Sequence, residues 1–228
     1  MYTHQSENFT KKIKFGQQEL LALGHKVSGL SLAIDPNKVA AALQKPVPRN
    51  IKEMQSFLGF ASYYRSHIQT FTHITSSLYK LCSKDVLFEI TKEERDAYER
   101  IKYELPNAPV LSFTDFELPS KLYIDAACSQ GLGASLHQRQ ILDGEPKEGV
   151  ICYISRNLKD SEARYGATQI ECLCLVWALE KLHYYLEGAV FEVCTDCSAL
   201  KSLLNMKTTN GCFKFRFPPA VIYSLAMG

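Results

Sequence analysis

The chain has 228 residues, 26 Lys and Arg against 24 Asp and Glu, 46% apolar and 22% charged positions, and a net charge of +2. This excludes a disordered chain and a globally basic nucleic-acid coat, so any nucleic-acid surface has to be local. No apolar run approaches the roughly 18 residues that span a bilayer, so no membrane partner is expected. The eight Cys are scattered and the start is not leader-like, which points to reduced thiols in a cytoplasmic or nuclear setting.

In chain order, residues 1–15 are polar and hold Lys11, Lys12 and Lys14, as a solvated terminus would. Residues 15–34 are short extended pieces broken by Gly24 and Gly29, and a hairpin is expected there. Asp35-Pro36 opens a helix (Val39, Ala42, Leu43) that Pro46 and Pro48 stop. Asn50 is a good N-cap, with Glu53 three residues on, and Ile51, Met54, Phe57, Leu58 and Ala61 recur at helical spacing. Ile68, Phe71, Ile74, Leu78 and Leu81 continue that helix or begin another. Tyr63, Tyr64, Arg65 and His67 interleave aromatic and basic groups, as either a nucleic-acid face or the rim of a packed helix does. Residues 84–90 suggest a short strand or extended link. Thr91 and Glu94 then cap a helix carrying Ala97, Tyr98, Ile101 and Leu105, which ends before Pro106. Residues 107–119 have no sustained period and are expected to link two domains.

The second half changes to a β-rich pattern, with strands expected at 120–125, 132–138 and 150–155. Thr168 and Glu171 form a third capping-box pair, opening a long helix through Leu173, Trp177 and Leu182 to Gly188. A strand at 190–194 ends at Thr195-Asp196, and a short helix is expected at 198–204. The fold class expected is mixed α/β (α+β): a small helical region, then a mixed sheet flanked by helices. Asp125 and Asp196 each close an apolar strand, and Glu171 lies in the first turn of the helix between them. Taken singly, a strand-end Asp is as readily a turn-former. Together, three carboxylates at one sheet edge repel and call for a hard cation such as Mg²⁺. Two such ions roughly 4 Å apart would clamp the attacking water and leaving oxygen of a phosphodiester. Cys172, Cys174, Cys194 and Cys197 fit core packing better than the closed tetrahedron of a zinc site.

Several pieces carry a family resemblance. APVLSF at 108–113, LYIDAACSQGLGASLHQ, CYISRNL, EARYGATQIECLCLVWALEKLHYYLEG and FEVCTD resemble the ribonuclease H domain of gypsy-class long-terminal-repeat retrotransposons. LGHKVSGLSLAIDPNKVAAALQKPVPRN resembles the last palm hairpin and thumb start of the same polyprotein's reverse transcriptase. IKEMQSFLGFASYYRSHI resembles the thumb, and the run to Leu105 the connection. The resemblance implies end of palm and thumb start over 1–48, thumb and connection over 49–106, linker 107–119, an incomplete RNase H-like domain over 120–210 and a divergent tail at 211–228.

It further implies that Asp125, Glu171 and Asp196 are catalytic and metal-binding acids. They would hold two Mg²⁺ ions, with Mn²⁺ as a substitute, and hydrolyse the RNA strand of an RNA–DNA hybrid beside an RNA-directed DNA polymerase. Lys52, Arg65 and His67 on the thumb-like helix would touch the backbone of that hybrid or of a primer–template duplex. The remainder of the polyprotein or a second copy would be protein partners. Some features depart from the family: there is no Asp-Asp pair, so polymerisation is not expected from this chain alone. No Asp or Glu follows Asp196, so the family's fourth acid and its C-terminal helix are expected to be missing. Ala127 and Cys197 stand where Ser and His are usual. Weak or no nuclease activity follows, and a non-catalytic remnant that at most binds nucleic acid is the alternative.

Overall fold

The two hydrophobic periods of the sequence become two cores in the computed structural model, which describes residues 17–84, 86–127, 131–142, 144–200 and 225–226. The first core is helical. Strands β1 (Glu19–Ala22), β2 (His25–Ser28) and β3 (Ser31–Ile34) form an antiparallel meander. Leu23 and Gly24 make the first turn with φ of 50° and 76°, the paired positive values that a two-residue hairpin loop requires. Asp35 caps helix α1 (Pro36–Leu43) by accepting the Asn37 N–H at 2.9 Å, with Pro36 at the first helical position. Asn50 caps α2 (Ile51–Tyr63) through the Glu53 N–H at 2.9 Å, while the Glu53 carboxylate takes the Arg49 N–H at 2.8 Å.

After α2 a 3₁₀ turn (Arg65–His67) leads to Thr70, whose left-handed backbone (φ 52°) separates it from α3 (Phe71–Leu81). Thr91 and Glu94 cap α4 (Lys92–Glu104) reciprocally, as their spacing predicts. Met54, Leu78 and Ile101 are fully buried where α2, α3 and α4 meet.

Of the two forms expected near residues 84–90, strand or link, residues 86–90 take the link; Leu87 stands exposed without a strand partner. The 107–119 segment, conversely, is not bare linker. Leu111–Ser112 form β4, which pairs antiparallel with β3 and completes the first sheet, order β1-β2-β3-β4. Two buried residues are too few to show a period in sequence.

The second core lies under a mixed sheet. Strands β5 (Ser120–Ala127), β6 (Gly131–Leu142) and β7 (Glu145–Arg156) are antiparallel, and β8 (Phe191–Cys194) joins β5 in parallel. Strands β6 and β7 outrun their expected bounds because their pairing continues from His137 and Val150 along more exposed arms toward Leu142 and Glu145. Leu225–Ala226 forms β9 beside β8, giving the order β7-β6-β5-β8-β9; the rest of the 211–228 tail, Lys11, Lys12 and Lys14, and most of the expected 198–204 helix lie outside the described residues.

Helix α5 (Ala167–Lys181) starts from Gly166, whose N–H goes to the Gln169 side chain at 2.9 Å. The expected Thr168–Glu171 cap does not form. Two overlapping pairs satisfied the same spacing, and the one that wins leaves Glu171 free of a capping role. The helix breaks at Leu182 into a short α6 (His183–Leu186). Ile170, Cys174, Leu175 and Ala178 of α5 pack with Leu122, Ile124, Leu132 and Leu136 of the sheet. On the opposite face, Arg65 donates to the Ser155 carbonyl at 2.5 Å, and the Thr72 N–H reaches the Ser155 hydroxyl at 3.1 Å.

Candidate metal centre

Parallel pairing of β5 with β8 settles where the strand-borne acids go. Their last shared pair is Tyr123 and Cys194, and each chain continues in the same direction to a carboxylate, Asp125 and Asp196. Both side chains are exposed. Asp125 is still within its strand, paired with Gly133. Asp196 lies just past β8 in a turn where the Thr195 hydroxyl accepts the Cys197 N–H at 3.1 Å.

Glu171 approaches from α5 and is half-buried. Burial, then the charges of Asp196 and Asp125, push its carboxyl up to about 7; the Ala126 amide pulls the other way. One of its oxygens, Oε2, is buried with no hydrogen-bond partner among the described residues. The Cys174 thiol holds the helix to the sheet one turn on, donating to the Gly133 carbonyl at 3.2 Å. A buried carboxylate oxygen without a donor, within electrostatic range of two more carboxylates, has the ligand chemistry of a hard divalent cation but not a closed chelating geometry. Among the described residues no three His, Cys, Asp or Glu stand close enough to chelate an ion together. The three acids meet at electrostatic range, as like charges without a counter-ion do.

The expected nucleic-acid residues separate. Lys52 is exposed on α2 and lines an open groove of about 610 Å³ together with Lys45 and Arg49, two cations whose grouping across Pro46 and Pro48 the sequence reading passed over. Arg65 is committed to the Ser155 carbonyl, with its guanidinium 6.0 Å from the Phe71 ring centre, so it ties the helices to the sheet. His67 is not on the surface at all. It is 1% exposed, stacked 5.5 Å from His25 and hydrogen-bonded to the Pro109 carbonyl at 3.3 Å. Burial holds its imidazole below the ordinary range. Tyr64 likewise turns inward, donating to the Gly24 carbonyl at 3.1 Å, while Tyr63 stays exposed and donates to the Leu23 carbonyl at 2.5 Å. The aromatic and basic stripe is mostly the packed rim of α2.

One buried pair had no local signal. Glu162 in a 3₁₀ turn binds Arg156 at 2.6 and 3.1 Å, and the guanidinium lies 5.5 Å from the Trp177 ring centre. Cys172 and Cys197 are half-buried against the core, with Cys174 and Cys194 buried.

A mixed sheet with this order, covered by α5 and bearing carboxylates at one end of two parallel neighbours, is an RNase H-like arrangement. Residues 115–214 match the family described as the RNase H-like domain found in reverse transcriptase. Over 86% of its length the chain is 34% identical to the retrovirus-related Pol polyprotein from transposon 297 of Drosophila melanogaster, of which it covers 18%. It is also 34% identical, over 90% of its length, to the Pol polyprotein from transposon gypsy of the same organism, covering 20% of that protein. The foamy viral protease-reverse transcriptase in complex with dsDNA shares the fold, with a TM-score of 0.71 at 18% identity over 92% of this chain and 45% of that one. The same enzyme in complex with RNA/DNA hybrid gives 0.68 at 19% identity over 92% and 29%. Over most of its length the chain is thus similar to gypsy-class retrotransposon Pol polyproteins, and it spans about a fifth of the relatives it matches.

Proposed function

We propose that Asp125, Glu171 and Asp196 form a divalent-cation site for hydrolysis of the RNA strand of an RNA–DNA hybrid. The observation that carries this reading is the buried, unpartnered Glu171 oxygen within electrostatic range of both aspartates. Mg²⁺, or Mn²⁺ in its place, would when bound supply a water activated for attack and charge stabilisation at the leaving oxygen. The chain's own residues do the rest. Asp125, within its strand, and Asp196, in the turn after the adjacent parallel strand, would set the spacing of the ligands along the sheet edge. Glu171, on the rigid α5, closes the site from the covered face and excludes water from one side of it. Lys52, with Lys45 and Arg49, presents positive charge to a duplex backbone in a salt-sensitive, sequence-independent way. The relatives being Pol polyproteins supports a partner in the remainder of such a protein or in a second copy. Polymerisation is not assigned to this chain, which has no Asp-Asp pair.

Asp125, Glu171 and Asp196 are the acids named for the site. Further ligands would come from backbone, water or another chain, and the spread of the three acids sets a low expected rate. Cleavage of an end-labelled hybrid in Mg²⁺ and in Mn²⁺, with Asp125→Asn alongside, tests the proposal. Slow cutting of the RNA strand alone, lost in the variant, is the expected result; cutting that survives the substitution would overturn it. A binding-only role is the second reading, favoured by the spread of the three acids. Its signature is a folded protein that binds the hybrid and cuts it in neither metal.

A further inference from the structure

Directly paired residues of antiparallel strands share a face of the sheet. Asp125 pairs with Gly133, and Gly133 pairs with Ser155, so the three form one row across β5, β6 and β7. The helical half of the chain is docked at the Ser155 end of that row. The Ser155 hydroxyl meets the Thr72 N–H at 3.1 Å and the Thr72 hydroxyl at 2.9 Å, and its carbonyl takes Arg65 at 2.5 Å. Gly133, in the middle, has no side chain to fill the gap. The start of α3 therefore looks across bare backbone at Asp125.

The space between is a cleft of about 20 Å³, lined by Thr70 and His73 on the helical side and by Asp125, Gly133 and Ser155 on the sheet. A void of that size holds about one water and no nucleotide. A substrate strand delivered to Asp125 would instead pass over the rim, where Thr70 and His73 are the helical side's polar residues and His73 is the exposed one. It is exposed, and its ring makes no hydrogen bond or ion pair among the described residues. Neutral imidazole has one N–H donor and imidazolium two, so in either state it can donate to a phosphate oxygen. The three bonds to Ser155 fix where that donor stands relative to the acid.

We infer that His73 is a substrate-positioning residue, donating to a backbone phosphate of the nucleic acid held at Asp125. The helical half and the RNase H-like sheet then form one continuous groove. This rests on the hybrid being the substrate, as proposed above, but its test does not depend on cleavage. Phosphate contacts of this kind set register on a duplex without reading sequence.

The test is fluorescence anisotropy of a labelled RNA–DNA hybrid with the full 228-residue protein in Ca²⁺, comparing wild type, His73→Ala, His73→Gln and His73→Arg. Loss of one charge-assisted hydrogen bond predicts binding weakened about 3- to 10-fold in His73→Ala. Partial recovery in His73→Gln and full recovery in His73→Arg would set a lost phosphate contact apart from a lost structural one. Thermal melting should be unchanged, because the side chain is exposed. Where cleavage in Mg²⁺ is measurable, His73→Ala raises KM more than it lowers kcat. Hybrid binding by His73→Ala equal to wild type overturns the inference, as does a wild type that does not bind hybrid. Binding that depends on His73 in a protein that never cuts would sink the hydrolytic reading and leave this one standing.

Discussion

Asp125 and Asp196 each lie two residues past the last shared pair of two neighbouring parallel strands, Tyr123 and Cys194, Asp125 still in its strand and Asp196 in the turn that follows β8. The parallel ladder carries both chains toward the same end of the sheet. Glu171, arriving from α5, is the acid that bears the cost of the arrangement.

That cost has a pH signature. The Glu171 carboxyl sits near 7 in the native protein against an ordinary 4.5. Between those values the native state keeps a proton that the unfolded chain has released, so stability falls as pH rises through that window. Glu171→Gln removes the penalty. Without divalent ions it should be more stable than wild type by about 1–2 kcal/mol at pH 8, after allowing for solvent screening, with the difference gone at pH 4. Urea denaturation at the two pH values checks this; a wild type more stable than the variant at pH 8 would contradict it.

Glu162 works in the opposite sense. Its hydrogen bond to Arg156 holds its carboxyl below the ordinary 4.5, helped by the Lys159 N–H. Its contribution is complete above pH 4.5 and is lost as pH falls through the native value. Glu162→Ala leaves Arg156 unpaired against Trp177 and should cost about 2–3 kcal/mol at pH 7. The gap between variant and wild type in urea denaturation should narrow on acidification.

Two glycines make a contrast. Gly131 has φ of +98°, and a Cβ there would lie 2.4 Å from the Arg156 carbonyl oxygen, so Gly131→Ala should destabilise by more than about 2 kcal/mol. Gly59 is interior to α2 with nothing near its missing side chain, and Gly59→Ala should stabilise by about 0.5–1 kcal/mol. Shifts in chemical-denaturation midpoint of opposite sign are the expected outcome.

The places of Asp125, Glu171 and Asp196 in the fold were legible because each lies in or just past a strongly periodic element, where strand or helix spacing fixes position locally. Their approach to electrostatic range depended on β8 lying beside β5, which the sequence allowed but did not dictate. His67 was misread because interleaved aromatic and basic residues do not reveal which side of a helix faces a neighbour; contacts with His25 and Pro109, distant in sequence, decide it. The same holds for His73, whose interest comes entirely from a row of pairings ending at Ser155. Arg156 and Glu162 carry no pattern at all until a turn brings them together.

Titration of the protein with Mn²⁺, by calorimetry and by loss of the free-ion resonance signal, tests the metal centre most directly. The account predicts a saturable site in the wild type, competed by Mg²⁺ and weakened at least about tenfold in both Asp125→Asn and Glu171→Gln, since each removes a charged ligand. No saturable binding, or binding by the two variants as tight as that of the wild type, would contradict it.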